Sequence, residues 1–176
     1  SDLYAAQASP ISAQLLINMP NSLNIIYRRD LKQINAGVNL AMTKSRCKVI
    51  GGHSTISDQS DISIGLSLTG KSNVKKNINK SFKDNDLIIL TGKLGTSVIF
   101  SAIKSNIISS NFQDYPIRQM LSGNRLASKI INKYPISAIT DVTGFGLANH
   151  LINLIKRYKN LKGINIIAEK IPTFPG

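Results

Sequence analysis

Six consecutive residues, Asp141-Val142-Thr143-Gly144-Phe145-Gly146, combine a carboxylate, a hydroxyl and two glycines where a predicted strand passes into a predicted helix. Glycines let a backbone approach a phosphate, a helix N-terminus favours an anion, and a carboxylate can hold the Mg2+ that neutralises it. These residue types suit nucleotide chemistry. The plainer reading is a capped turn whose glycines only supply positive φ. The spacing is not a Rossmann fingerprint. A second place is Gly51-Gly52-His53-Ser54, read as following a short apolar strand, where main-chain N–H groups could meet a nucleotide; alone it reads as a turn with a surface histidine. Asp2 is either a metal ligand or a solvated acid. Gly92-Lys93-Leu94-Gly95-Thr96-Ser97 lacks the Gly-Lys-Ser/Thr order of a P-loop, which excludes a Walker-type ATPase.

The elements that must position these residues follow from hydrophobic periodicity. Ile11 to Met19 reads as a strand ending at Pro20, and Leu31, Ile34, Val38 and Met42 recur at helical spacing. Cys47 to Ile50 is a short strand entering the glycine pair, and Ile62, Ile64, Leu66 and Leu68 alternate with Ser63, Gly65, Ser67 and Thr69 as in a strand with one buried face that Gly70 ends. Lys71 to Asp86 is rich in Lys, Asn and Ser, and marks a linker over 73–86 between a first domain, 1–72, and a second, 87–176. In the second domain Leu87 to Leu90 predicts a fully buried strand, Thr91 to Thr96 a turn and Ser97 to Lys104 the start of a helix. Pro116 suits a first helical turn, after which Ile117, Met120, Leu121, Asn124, Ala127 and Ile131 line one face. Asn124 in that stripe is either a buried polar residue satisfied by neighbouring backbone or a residue facing a cleft, and a specific partner is expected because unpaired burial costs about 1–3 kcal/mol. Ser137 to Val142 and Ile164 to Ala168 predict strands. Leu147, His150, Leu151, Leu154, Ile155 and Tyr158 share a helix face between them.

Composition narrows the class. With 176 residues and 42% hydrophobic content the chain can bury one sizeable core or two small ones. No apolar run approaches a membrane span, and the first residues carry neither a basic leader nor a signal-like core; the expectation is a soluble, cytoplasmic protein without membrane association. One cysteine, Cys47, excludes an internal disulfide and makes no zinc-ligand spacing. It is not expected to act as a nucleophile. The net charge of +13 raises affinity for any polyanion, so RNA binding is a reading to carry. It is disfavoured by 6% aromatics, no Trp and dispersed basic residues, which make no stacking platform.

Taken together, Ser1-Asp2-Leu3-Tyr4-Ala5, Gly51-Gly52-His53-Ser54, Leu90 to Thr96, and Asp141 to Leu147 with His150 resemble the selenophosphate synthetases (selenide, water dikinases), a family of the aminoimidazole ribonucleotide synthetase superfamily. The resemblance implies a partial N-terminal α+β dimerisation domain followed by a partial α/β C-terminal domain, ATP as the bound nucleotide and a homodimer formed through the N-terminal sheet. By the same resemblance Asp2 and Asp141 are Mg2+ ligands, and Gly51, Gly52, His53, Ser54, Thr143 and Gly144 contact ATP. Two carboxylates suit Mg2+ on a polyphosphate, where water and phosphate oxygens complete the shell.

Departures from the family pattern are Ala5-Ala6-Gln7 in place of Ala-Met-Gly, and Thr91-Gly92-Lys93-Leu94-Gly95 in place of Thr-Lys-Pro-Leu-Gly. The family's glycine-rich segment with its reactive Cys or selenocysteine and Lys, and its final helices, are not among these residues. The catalytic nucleophile is therefore unassigned, and the 176 residues alone are expected to be inactive. The stretch Ser57-Asp58-Gln59-Ser60-Asp61 resembles modules fused to flavin-dependent oxidoreductases, so a degenerate nucleotide-binding or dimerisation module in such a fusion is an alternative. A superfamily enzyme of purine or thiamine metabolism is another.

Overall fold

The computed structural model describes residues 1–72, 82–156 and 163–174. Its elements are α1 (Asp2–Ala5), β1 (Ala8–Pro20), α2 (Asn24–Ser45), β2 (Lys48–Ser57), β3 (Ser63–Ser72), α3 (Thr96–Lys104), α4 (Asp114–Ser122), α5 (Arg125–Ile131) and α6 (Gly146–Ile155), with short 3-10 turns at Ser110–Gln113 and Ala168–Lys170. They form two compact units, Ala8–Val74 and Ser1–Gln7 with Lys75–Gly176. The fold is mixed α and β, as its sequence pattern implies. Among the described residues no helix is long and apolar enough to cross a membrane.

In the sheet unit the strand order is β2-β1-β3, with β1 parallel to β2 and antiparallel to β3. Parallel neighbours need a crossover, and α2 supplies it. Alternation on β1 turns Ala13, Leu15, Ile17 and Met19 to one face, where all are buried. Tyr27, Leu31, Ile34 and Val38 of α2 pack there, and Met42 and Cys47 close over Ala13. Arg46, at φ 57°, turns the chain out of α2, and Cys47 N–H donates to the Met42 carbonyl at 2.9 Å. Cys47 is thereby a core residue whose thiol is pushed up by burial.

One helix is about 10 Å across and strands lie about 4.8 Å apart, so α2 covers the central strand and leaves its neighbours partly open. Ile64, Leu66 and Leu68 stand in register with Ile17, Leu15 and Ala13, yet remain 50%, 40% and 37% exposed. The alternation identifies a face but not its cover. On the opposite face Asn18 ties the central strand to β2, donating to Ser57 Oγ (2.9 Å) and accepting from Thr55 Oγ1 (3.0 Å).

Several expectations are corrected. The glycine pair lies inside β2 rather than after it, and β3 runs past Gly70 to Ser72. The helix expected from Pro116 to Ile131 is two helices, because Gly123 at φ 61° breaks it; Met120 and Leu121 are consequently 62% and 69% exposed. No strand forms at Leu87–Leu90, Ser137–Val142 or Ile164–Ala168. Among the described residues these segments have no ladder partner, and Leu87 and Ile89 are 87% and 80% exposed. A parallel bridge joins Leu94 to Thr173 instead. Tyr158 and most of the expected linker lie outside the described residues.

Candidate functional site

Gly51, Gly52, His53 and Ser54 belong to the sheet unit, while Asp2, Asp141, Thr143 and Gly144 belong to the other. In the sheet unit the four residues pair with Gln14, Leu15, Leu16 and Ile17 of β1. They also line an open cavity of about 300 Å³, shared with Leu15, Ile17, Val49 and, from α2, Asn35. The two glycines differ in kind. A Cβ on Gly52 would stand 1.9 Å from the Leu15 carbonyl oxygen, whereas one on Gly51 meets nothing within 4 Å. Close approach of two backbones therefore dictates Gly52, which follows the register shift between Ala13 and Gln14. β2 is an edge strand, so its outer main-chain groups have no ladder partner among the described residues.

In the second unit Asp141 precedes the turn into α6 instead of ending a strand. Gly146 N–H donates to the Thr143 carbonyl at 2.9 Å, and Gly146, at φ 71°, adopts a conformation that favours glycine. This glycine serves the turn itself. Gly144 has no left-handed φ, and a Cβ there would meet nothing within 4 Å. His150, one helical turn into α6, holds the loop: Thr143 N–H donates to its Nε2 at 3.2 Å, and Thr143 Oγ1 lies 3.3 Å from the same nitrogen. Phe145 stands beside it, ring centroids 6.1 Å apart, and is 74% exposed.

Asp2 opens α1 and is exposed; Asp141 is half-buried. Among the described residues no hydrogen bond or ion pair engages either carboxylate, which leaves both free to meet a cation. No group of three or more His, Cys, Asp or Glu gathers among the described residues. Hard oxygen donors in small number fit Mg2+ that takes its remaining ligands from phosphate and water. Gln7, where the resembling family carries glycine, is buried at φ 53°, the left-handed region glycine tolerates best. Among the described residues its Oε1 and Tyr4 Oη are buried without partners.

Two features escaped sequence reading, and a third, the partner expected for Asn124, was not named by it. Gln119 clasps Lys93 from both sides, accepting its N–H at 2.7 Å and donating to its carbonyl at 2.8 Å. A Cβ on Gly92 would press on that amide at 3.0 Å, so the clasp accounts for the glycine. Asp86 accepts from the Ser137 hydroxyl and from Lys83 N–H, and these two bonds hold its carboxyl below the ordinary range. Asn124 bridges Thr91 and Ser1. Apart from the Lys83–Asp86 bond, three positions apart, these contacts have no local signal, since their partners lie 26 to 123 positions apart.

Residues 1–72 match the N-terminal domain of AIR synthase related proteins. Over its whole length the chain is 33% identical to the selenide, water dikinase of Campylobacter jejuni, covering 50% of that protein. It is 32% identical to that of Pelobacter propionicus over 99% of this chain and 49% of the relative. The resemblance read from the four blocks thus extends across the sequence, and the chain spans about half the length of these curated relatives. Among solved structures, thiamine monophosphate kinase from Aquifex aeolicus superposes with a TM-score of 0.57 at 22% identity, over 76% of this chain and 44% of that one. A complex of such a kinase with AMPPCP and TMP gives the same score over 88% and 49%. At that identity the likeness establishes fold alone.

Proposed function

We propose that this chain is the ATP-binding part of a selenophosphate synthetase-like phosphotransferase, which in its whole form converts ATP, selenide and water to selenophosphate, AMP and phosphate. The observation that carries the reading is the similarity to selenide, water dikinases over the full length of this chain, to which the family-like Asp2 and Asp141 blocks of the sequence add support. In this reading 1–72 is a partial nucleotide-binding and dimerisation domain, 73–86 a linker and 87–176 a partial α/β C-terminal domain. Asp2 and Asp141 hold Mg2+, which when bound neutralises polyphosphate oxygens. Gly51, Gly52, His53 and Ser54 offer main-chain and side-chain groups to ATP. Gly144 supports the nucleotide reading, because nothing in its own turn demands glycine. Thr143 offers its hydroxyl, which in this structure also lies 3.3 Å from His150 Nε2. Binding of AMPPCP by a kinase of like fold supports a nucleotide role for this architecture. The setting is cytoplasmic, consistent with one unpaired cysteine buried in the core.

Phosphorus NMR on selenide, ATP and Mg2+ tests the reaction. The whole natural chain carrying this sequence is expected to form selenophosphate, the 176 residues alone to form none, and Cys47→Ala to leave the whole chain's product unchanged. ATP hydrolysis without selenophosphate would overturn the assignment.

The sheet is proposed to pair with a second copy. Ile64, Leu66 and Leu68 keep much apolar surface exposed, and β2 and β3 both end the sheet with open edges among the described residues. Sedimentation is expected to give a dimer at about 10–50 μM, where a standard-size interface is populated. A monomer there would count against the proposal.

A further inference from the structure

Asn124 is the N-cap residue of α5, a position where an asparagine side chain normally accepts an N–H from the first helical turn. Here it makes no such bond. Its Oδ1 instead accepts from Thr91 Oγ1 at 3.0 Å, and its Nδ2 donates to Ser1 Oγ at 3.0 Å. The side chain gives up a local cap to join two segments 90 positions apart in sequence, a difference read from Ser1 and Thr91. Gly123, at φ 61°, makes the turn that brings it there.

What it holds is α1. Ser1 is the N-cap of that helix, its carbonyl accepts Ala5 N–H at 2.8 Å, and Asp2 is the first helical residue. A helix of four residues cannot sustain itself, because nucleation is unfavourable and only two backbone bonds, to Ser1 and Asp2, span it. Its place must come from tertiary contacts. Among the described residues, the side-chain hydrogen bond that reaches α1 and its cap is the one from Asn124.

We infer that Asn124 is a positioning residue, which locks the Asp2 turn to Thr91 and so fixes where the Asp2 carboxylate meets the cation. The inference rests on the reading of Asp2 as a Mg2+ ligand. Neither Thr91 nor Asn124 need touch metal or nucleotide for it to hold.

Calorimetry of Mn2+ binding in the presence of AMPPCP, on the whole natural chain, tests it. Asn124→Ala and Ser1→Ala are each expected to weaken Mn2+ about five- to tenfold, the scale of one hydrogen bond, with metal-free nucleotide affinity unchanged. The double variant should be no weaker than Asn124→Ala, because both act through one contact. Ser1→Ala removes only a hydroxyl from an exposed residue and keeps the test decisive should Asn124→Ala fold poorly. Wild-type Mn2+ affinity in Ser1→Ala, or fully additive losses, would overturn the inference. Asp2→Asn separates the two levels: if it weakens Mn2+ while Ser1→Ala does not, Asp2 stands and Asn124 does not position it. If Asp2→Asn binds Mn2+ as the wild type does, the reading beneath the inference fails.

Discussion

Replacing Gly52 by alanine is expected to destabilise the protein by about 2–3 kcal/mol, the upper part of the range for overpacking a well-packed site. The added methyl would stand 1.9 Å from the Leu15 oxygen, 2.8 Å from its carbonyl carbon and 2.9 Å from its nitrogen. All three are backbone atoms of the central strand. A flexible side chain could rotate away, but this backbone is fixed by pairing on both sides, to β2 and to β3. Relief therefore requires parting β1 from β2 beside the buried Leu15, Ile17 and Met19. Gly51→Ala is the control: open space surrounds it, and the change should stay within about 0.5 kcal/mol, as surface substitutions do. Urea unfolding of both variants checks this. Equal, small losses would mean that the β1–β2 contact at Leu15 is looser than described.

The same glycine illustrates what the sequence could convey. Two adjacent glycines after Cys47-Lys48-Val49-Ile50 suggest a turn, because that is the commonest use of the residue. Nothing local reveals that a neighbouring strand, more than thirty positions earlier at Leu15, comes too close for a side chain. β1 and α2 were legible because their apolar residues recur at the period of the element and meet one another. Leu87 to Leu90 and Ser137 to Val142 carry strand-like composition, yet a strand exists only with a partner, and composition does not name one. The break at Gly123 had a signal, a glycine in a helical pattern, outweighed by the apolar stripe on either side. Gln7 is the converse. Its left-handed φ was foreshadowed by the glycine the resembling family carries there, but not by the glutamine itself. For the site, the Asp141 block was legible as a motif, whereas its support by His150 Nε2 and the bridge through Asn124 are tertiary facts.

Asp141→Asn is expected to weaken Mg2+-dependent ATP binding about 10- to 100-fold while leaving the unfolding free energy within about 0.5 kcal/mol of the parent. The two effects separate because of what the side chain does in the fold. Among the described residues its carboxylate takes part in no hydrogen bond or ion pair; the contact near it, from Thr140 Oγ1, goes to the Asp141 backbone carbonyl at 3.1 Å. Asparagine preserves the shape and that backbone contact, so the turn into α6 and its tie to His150 remain. Under the proposed function, what is lost is the negative charge of a Mg2+ ligand, and a Mg2+ that takes few protein ligands depends strongly on each. Calorimetry with AMPPCP on the whole natural chain, with and without Mg2+, reads the charge directly. Metal-free binding should be unchanged or slightly tighter, because removing a carboxylate lessens repulsion of the polyphosphate. An unchanged Mg2+-dependent affinity, together with a clear loss of stability, would make Asp141 a structural residue of the turn and leave the metal to other groups.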